Sequence, residues 1–174
     1  MPILNIEFKA RCADIDKAEK VLLKLQPRYT GTDLQADTYF NVPNGRLKLR
    51  EGNIENALIH YKRENNPGSR QSKVMLYRHQ PGSNLKEMLA VALGIKVVVE
   101  KQRKIYFAGN VKFHFDTVKN LGTFIEVEAI DADGSIGVEK LHEQCRYYAQ
   151  LFEVSEADYI SGSYSDMLME QTKN

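Results

Sequence analysis

The chain has 174 residues, of which 43% are hydrophobic and 27% charged, with a formal net charge of +1. That composition describes one ordinary globular domain, spanning 1–174, with enough chain to bury a core, and it excludes a disordered tail protein. The near-neutral balance gives no global pull toward nucleic acid or an anionic membrane, so a charged ligand would have to be met by local segregation of charge.

Cys12 and Cys145 stand alone, without metal-site or disulfide-framework spacing, which points to a reducing cytoplasm. The N-terminus enters strand sequence directly, and the longest apolar runs, such as Ile95 to Val99, are interrupted by charge. Neither a leader peptide nor a membrane span is therefore expected.

Ile3 to Cys12 (ILNIEFKARC) opens the chain with strict alternation: Leu4, Ile6, Phe8, Ala10 and Cys12 on one face, Asn5, Glu7, Lys9 and Arg11 on the other. A period of two is the mark of a half-buried strand. Ala13 to Leu25 changes to helical spacing, with Ile15, Ala18, Val21, Leu22 and Leu25 in one stripe, Asp14 as N-cap and Pro27 beyond the end. Gln35 to Asn41 reads as a short strand before the turn Val42-Pro-Asn-Gly45. Arg46 to Glu51 places Arg46, Lys48 and Arg50 on one face. Ala57 to Glu64 places Leu58, His60 and Lys62 together, and a loop at Asn65 to Ser69 leads to a strand at Lys73 to His79.

Asn84 with Glu87 has the spacing of a capping box for a helix running to Leu93, stopped by Gly94. Lys96 to Phe107 is a long strand with Lys101 and Arg103 in its middle. Val111 to Asp116 alternates Lys112, His114 and Asp116 with Val111, Phe113 and Phe115. Thr123 to Ala129 sets Phe124, Glu126 and Glu128 against Ile125, Val127 and Ala129. Ile136 to Phe152 and a shorter segment ending at Met169 are helical. About eight strands with inserted helices predict an α+β fold on an antiparallel sheet, whose charged faces line either a solvated surface or the lumen of a closed barrel.

The charges segregate by strand. Arg46, Lys48, Arg50, Lys62, Lys101 and Arg103 form a cationic group that would repel itself without an anion, and arginine offers bidentate geometry for phosphate oxygens. Glu7, Asp116, Glu126 and Glu128 form an acidic group, with Glu126 and Glu128 two residues apart on one face, as a hard divalent cation such as Mg²⁺ or Mn²⁺ requires. Together they describe a metal–triphosphate site whose phosphate cradle is made of side chains, because the chain has no Gly-rich P-loop. Tyr164-Ser-Asp166 reads as a helix start rather than a nucleophile–acid pair.

Asn5-Ile-Glu-Phe-Lys9, Arg46 to Glu51, His60 to Arg63, Glu100 to Arg103, His114 to Asp116, Leu121 to Glu128 and Ser163 to Leu168 occur in the order seen in the CYTH superfamily. The chain resembles that superfamily over nearly its whole length, and its class IV adenylyl cyclase branch most.

The resemblance implies an eight-stranded antiparallel barrel, closed or nearly so, that is polar inside with helices packed outside: a triphosphate tunnel. It also implies Mg²⁺ or Mn²⁺ on Glu7, Glu126 and Glu128, with Asp116 as a further ligand or close supporter. Phosphates would be gripped by Lys9, Arg50, Lys62, Lys101 and Arg103, with Arg46, Lys48 and His114 also facing substrate. Glu7, Lys9, Lys101 and Arg103 would carry catalysis. The implied partner is ATP or another triphosphate; an apolar strand such as Val97 to Val99 also admits a homodimer. The implied activity is conversion of ATP to cyclic AMP and pyrophosphate, or hydrolysis of inorganic or thiamine triphosphate. Asn5 departs from the family signature, which has a first Glu there. It brings a carbonyl oxygen without negative charge, which implies a weakened metal site and admits a weakly active or non-catalytic binder of phosphorylated ligands.

Overall fold

Alternation builds the strands, and pairing between neighbouring strands decides which side of each turns inward. The computed structural model describes residues 3–63 and 68–173, with the side chain of Arg63 outside the description. Among the described residues the strands are β1 (Ile3–Arg11), β2 (Arg28–Phe40), β3 (Arg46–Glu51), β4 (Ala57–Arg63), β5 (Arg70–Arg78), β6 (Ile95–Ala108), β7 (Val111–Val118) and β8 (Gly122–Asp131). They close into an antiparallel barrel in the order β1-β5-β4-β3-β2-β6-β7-β8, with β8 pairing back onto β1. The helices α1 (Ile15–Leu23), α2 (Leu85–Leu93), α3 (Val138–Leu151) and α4 (Tyr164–Gln171) lie outside the sheet or across its end.

The outer face of β1, β7 and β8 supplies the core. Ile6, Phe8, Phe113, Phe115, Ile125 and Val127 pack beneath α1 and α3, which contribute Ala18, Leu22, Leu141 and Cys145. Each buried aromatic or branched side chain there stabilises the fold by about 1.5–3 kcal/mol. The alternate residues of the same strands, Asn5, Glu7, Lys9, His114, Asp116 and Glu126, are also buried, but into the lumen. A second cluster, with Tyr39, Tyr61, Val99, Phe124 and Tyr164, joins the inner wall to α4. Ser163 caps α4 by accepting from the Asp166 amide while Asp166 accepts from the Ser163 amide, so this segment is the helix start that its sequence predicts.

Several local expectations are corrected. β2 runs from Arg28, so its first half, which contains Gly31 and mostly polar residues, continues the short strand expected from Gln35. β5 begins at Arg70, earlier than its apolar residues indicate. Asn84 occupies the N-cap position of α2 without a side-chain cap bond, so the expected capping box does not form; Gly94, at φ +76°, does end the helix. Leu25 lies beyond α1 and is exposed. Residues 64–67, where the fourth strand and the following loop were expected to meet, lie outside the described residues.

The largest correction concerns β4. Directly opposed residues of paired strands share a sheet face. Lys48 lies opposite Ile59 and Arg50 opposite Ala57, so Ala57, Ile59 and Tyr61 face the lumen with those cations. His60 and Lys62 therefore point outward, and Lys62 is exposed. Lys62 does not join the cationic group expected of it.

Candidate functional site

A cavity of about 650 Å³ lies inside the barrel, and its charged wall divides into a cationic part and an acidic corner. Cross-strand pairing places the side chains in rows. Glu7, Glu128 and Lys112 form one row; Lys9, Glu126 and His114 form the next; Phe124, Asp116 and Arg103 form a third. One face of four strands thus delivers groups far apart in sequence to a single patch.

The cationic part is organised around Asp37, which is 1% exposed. Lys48 Nζ lies 3.0 Å and Lys101 Nζ 2.9 Å from Asp37 Oδ2, and Arg50 donates to both carboxylate oxygens at 2.8 Å. Burial works to raise the Asp37 carboxyl, but Arg50, Lys101 and Lys48 outweigh it and hold the group well below the usual carboxylate range. Burial dominates at Lys101 and, with Arg103 and Arg50 close by, depresses its ammonium well below the ordinary lysine value.

Glu55 reaches this wall from the β3–β4 loop. It accepts from Arg50 at 3.1 Å and Gln35 at 3.0 Å and is paired with Lys112. Burial opposes its ionisation, yet Arg50 and Lys112 bring its carboxyl down to about 2. The loop is fixed by Asp33, which accepts from the amides of Ile54 and Glu55 at 2.9 Å. A Cβ at Gly52 would come within 2.5 Å of the Asp33 carboxylate, so the tight approach calls for glycine.

The acidic corner holds Glu7, Glu126 and Glu128. Lys9 Nζ lies 3.6 Å from Glu126 and Arg70 Nε 3.7 Å from Glu7. Arg103 makes a two-point contact with Asp116 at 2.7 and 2.6 Å and approaches Glu126 at 3.4 Å. Tyr164 donates to Asp116 at 2.7 Å, and its ring centroid lies 3.8 Å from Lys9 Nζ. Asp116 is therefore engaged behind the corner by Arg103 and Tyr164.

Burial opposes ionisation of Glu126, but Lys9 and Arg103 keep it well below the usual range. Burial, Glu126 and Glu7 act together on Glu128 and push its carboxyl up to about 8. Burial, then Arg103 and Lys112, hold the His114 imidazole far below its ordinary value, hence neutral. The Asn5 side-chain oxygen is buried in the lumen without a hydrogen-bond partner. Crowded carboxylates beside an unused carbonyl oxygen form a donor set that fits a divalent cation.

The lumen thus brings together Glu7, Lys9, Lys48, Arg50, Lys101, Arg103, Glu126 and Glu128, with His114 and Asp116 buried directly behind them. Arg46 stands apart at the end of the barrel, 2.9 Å from Asp166 and bonded to Ser163. Four further residues escape the sequence reading: Asp37, Glu55, Lys112 and Tyr164. Asp37 alternates with Gln35 and Tyr39, so strand periodicity carries its signal. It supplies, from within the chain, an anion for cations that would otherwise repel one another.

Solved structures with the same fold include the PH1012 protein of Pyrococcus horikoshii OT3 (21% identity, TM-score 0.75, covering 93% of this chain and 98% of that one). A candidate adenylate cyclase of Vibrio parahaemolyticus is similar at 19% identity and TM-score 0.75, covering 95% and 98%. A candidate adenylyl cyclase of Hippeastrum, described as having a dominant triphosphatase activity, is similar at 11% identity and TM-score 0.60, covering 100% and 97%. No curated protein matches. Among the described residues no helix is long and apolar enough to cross a membrane. The CYTH domain family model matches residues 4–164, nearly the whole of this triphosphate-tunnel barrel, and the chain belongs to the CYTH family.

Proposed function

We propose that the chain is a divalent-metal-dependent enzyme acting on an organic triphosphate, with adenylyl cyclase activity, ATP to cyclic AMP and pyrophosphate, as the primary reading. The observation that carries it is the facing of a cationic wall (Lys48, Arg50, Lys101) and an acidic corner (Glu7, Glu126, Glu128) across one lumen. The cations bind the phosphate chain and neutralise it, and Lys9 and Arg103, 3.6 and 3.4 Å from Glu126, are placed to hold the phosphate nearest the corner. Glu7, Glu126 and Glu128, with Asp116 in support, would hold Mg²⁺ or Mn²⁺. Such an ion supplies charge neutralisation on phosphate oxygens. In the cyclase reaction the ribose 3′-oxygen attacks the α-phosphorus, and the charge of the departing pyrophosphate falls on the Lys48, Arg50 and Lys101 wall.

An organic rather than inorganic substrate is supported by the remaining wall. Ile59, Val74 and Leu76, inner residues of β4 and β5, add an apolar surface to the lumen, suited to the non-phosphate portion of a nucleotide. Triphosphate hydrolysis is the second reading: the same cationic wall serves water attack on the terminal phosphorus, and the Hippeastrum protein is described with that activity. Asn5, one charge short at the corner, would leave either activity low and favours a phosphate-binding role if no turnover is found.

Incubation of the purified chain with ATP and Mg²⁺ or Mn²⁺, with separation of products, decides among these. Cyclic AMP with pyrophosphate supports the cyclase, and orthophosphate without a cyclic product removes it. Full activity in Glu126→Gln would sink the site assignment.

A further inference from the structure

His114 stands out among the lumen residues because neither ring nitrogen has a hydrogen-bond partner, although the side chain is 1% exposed. Buried imidazoles nearly always use at least one nitrogen, because an unmet buried polar atom costs about 1–3 kcal/mol. Its surroundings show what would use it. His114 lies directly opposite Glu126 in the β7–β8 pairing, and its Nδ1 is 3.8 Å from Glu128 Oε1, too far for a hydrogen bond. One donor atom from each of His114, Glu126 and Glu128 can be chosen so that all lie within 4.8 Å of one another. Ligands bound about 2.1 Å from one ion are separated by roughly 3–4 Å. Small side-chain rotations would therefore close the three onto one centre. A neutral imidazole offers a phosphate oxygen no charge, and the ionised Glu126 opposite it would repel one.

We propose that His114 joins Glu126 and Glu128 in a mixed nitrogen–oxygen site that selects a first-row transition-metal dication, such as Mn²⁺, over Mg²⁺. Mg²⁺ dehydrates reluctantly and keeps to oxygen donors and water, whereas imidazole suits first-row transition ions; Mn²⁺, the hardest of these, still exchanges a water for one nitrogen donor at less cost than Mg²⁺. This inference rests on the metal site assigned above and adds to it the nitrogen donor and the preference that follows.

The test uses the full chain without nucleotide. Calorimetric titration should show Mn²⁺ binding about tenfold or more tightly than Mg²⁺. His114→Gln should weaken Mn²⁺ about tenfold or more and leave Mg²⁺ within about threefold. Pulsed electron paramagnetic resonance of the Mn²⁺ complex should show coupling to a histidine nitrogen that shifts when the protein is labelled with ¹⁵N-histidine and disappears in His114→Gln. The labelled wild-type measurement needs no variant to fold. Mn²⁺ bound without nitrogen coupling would overturn the proposal while leaving an all-oxygen metal site standing. Binding of neither ion would overturn both.

Discussion

Replacing Asp37 by Asn tests whether the cationic wall is held together by the protein's own anion. The substitution keeps shape and one acceptor oxygen but removes the charge that Lys48, Lys101 and Arg50 share at 2.8–3.0 Å. Asp37 and the Lys101 side chain are each 1% exposed, so water cannot take over the lost role. Removing one partner of a buried pair costs about 3–5 kcal/mol. Arg50 retains Glu55, which favours the lower end of that range. For a domain of this size about 3 kcal/mol corresponds to a fall of roughly 6–12 °C in Tm.

The same substitution leaves the wall in search of an anion. A ligand binding only the folded state adds about 2.7 kcal/mol at a hundred times its Kd. Thermal melts with and without tripolyphosphate should therefore show Asp37→Asn low in Tm without ligand and raised by tripolyphosphate more than the wild type. A variant melting within about 2 °C of wild type would show that Asp37 does not hold the wall together. One that tripolyphosphate no longer stabilises would refute the reasoning.

Other consequences can be checked in parallel. Glu128, with a folded value near 8 against an ordinary 4.5, binds more protons folded than unfolded between those values. Apo stability should therefore fall as pH rises from roughly 4.5 to about 8, and Mn²⁺ or Glu128→Gln should flatten the slope in melts across that range. Stability rising through that window because of Glu128 would contradict the crowded corner. Lys62→Ala should leave tripolyphosphate affinity within about twofold, because exposed charges contribute little, whereas Lys101→Ala should weaken it about tenfold or more. Titration calorimetry distinguishes the two. Tyr164→Phe removes the hydroxyl from Asp116 but keeps the ring over Lys9. It should cost about 1–3 kcal/mol in denaturant unfolding, and no change would mean that Arg103 alone satisfies Asp116.

The parts of this molecule legible in its sequence are those where a strong period meets a single interpretation. Arg46, Lys48 and Arg50 alternate against Leu47 and Leu49, and Glu126 and Glu128 against Ile125 and Val127, so β3 and β8 and their shared faces follow directly. The barrel and the metal–triphosphate reading gain further force from the ordered family motifs. Lys62 shows where periodicity ends. Alternation separates two faces but does not say which is inside, and only pairing with Lys48 and Arg50 assigns Tyr61 inward and Lys62 outward. Glu55 lies in a loop, which has no period to read, and Tyr164 reaches Asp116 from 48 positions away. Asp37 was within reach of the pattern, but its importance depends on three cations that converge on it from β3 and β6.

The two buried faces of β8 make this strand intolerant of insertion and deletion. In a strand with one wet face, a one-residue slip moves apolar side chains into water. Here the same slip would push Glu126 and Glu128 under α3 and deliver Ile125 and Val127 to the phosphate wall. Misalignment would thus be punished twice, once by stranded charge in an oily layer and once by a silenced tunnel. Side-chain exchange on either face remains possible as long as the count is kept, so the inner row can change its chemistry while the outer row stays untouched.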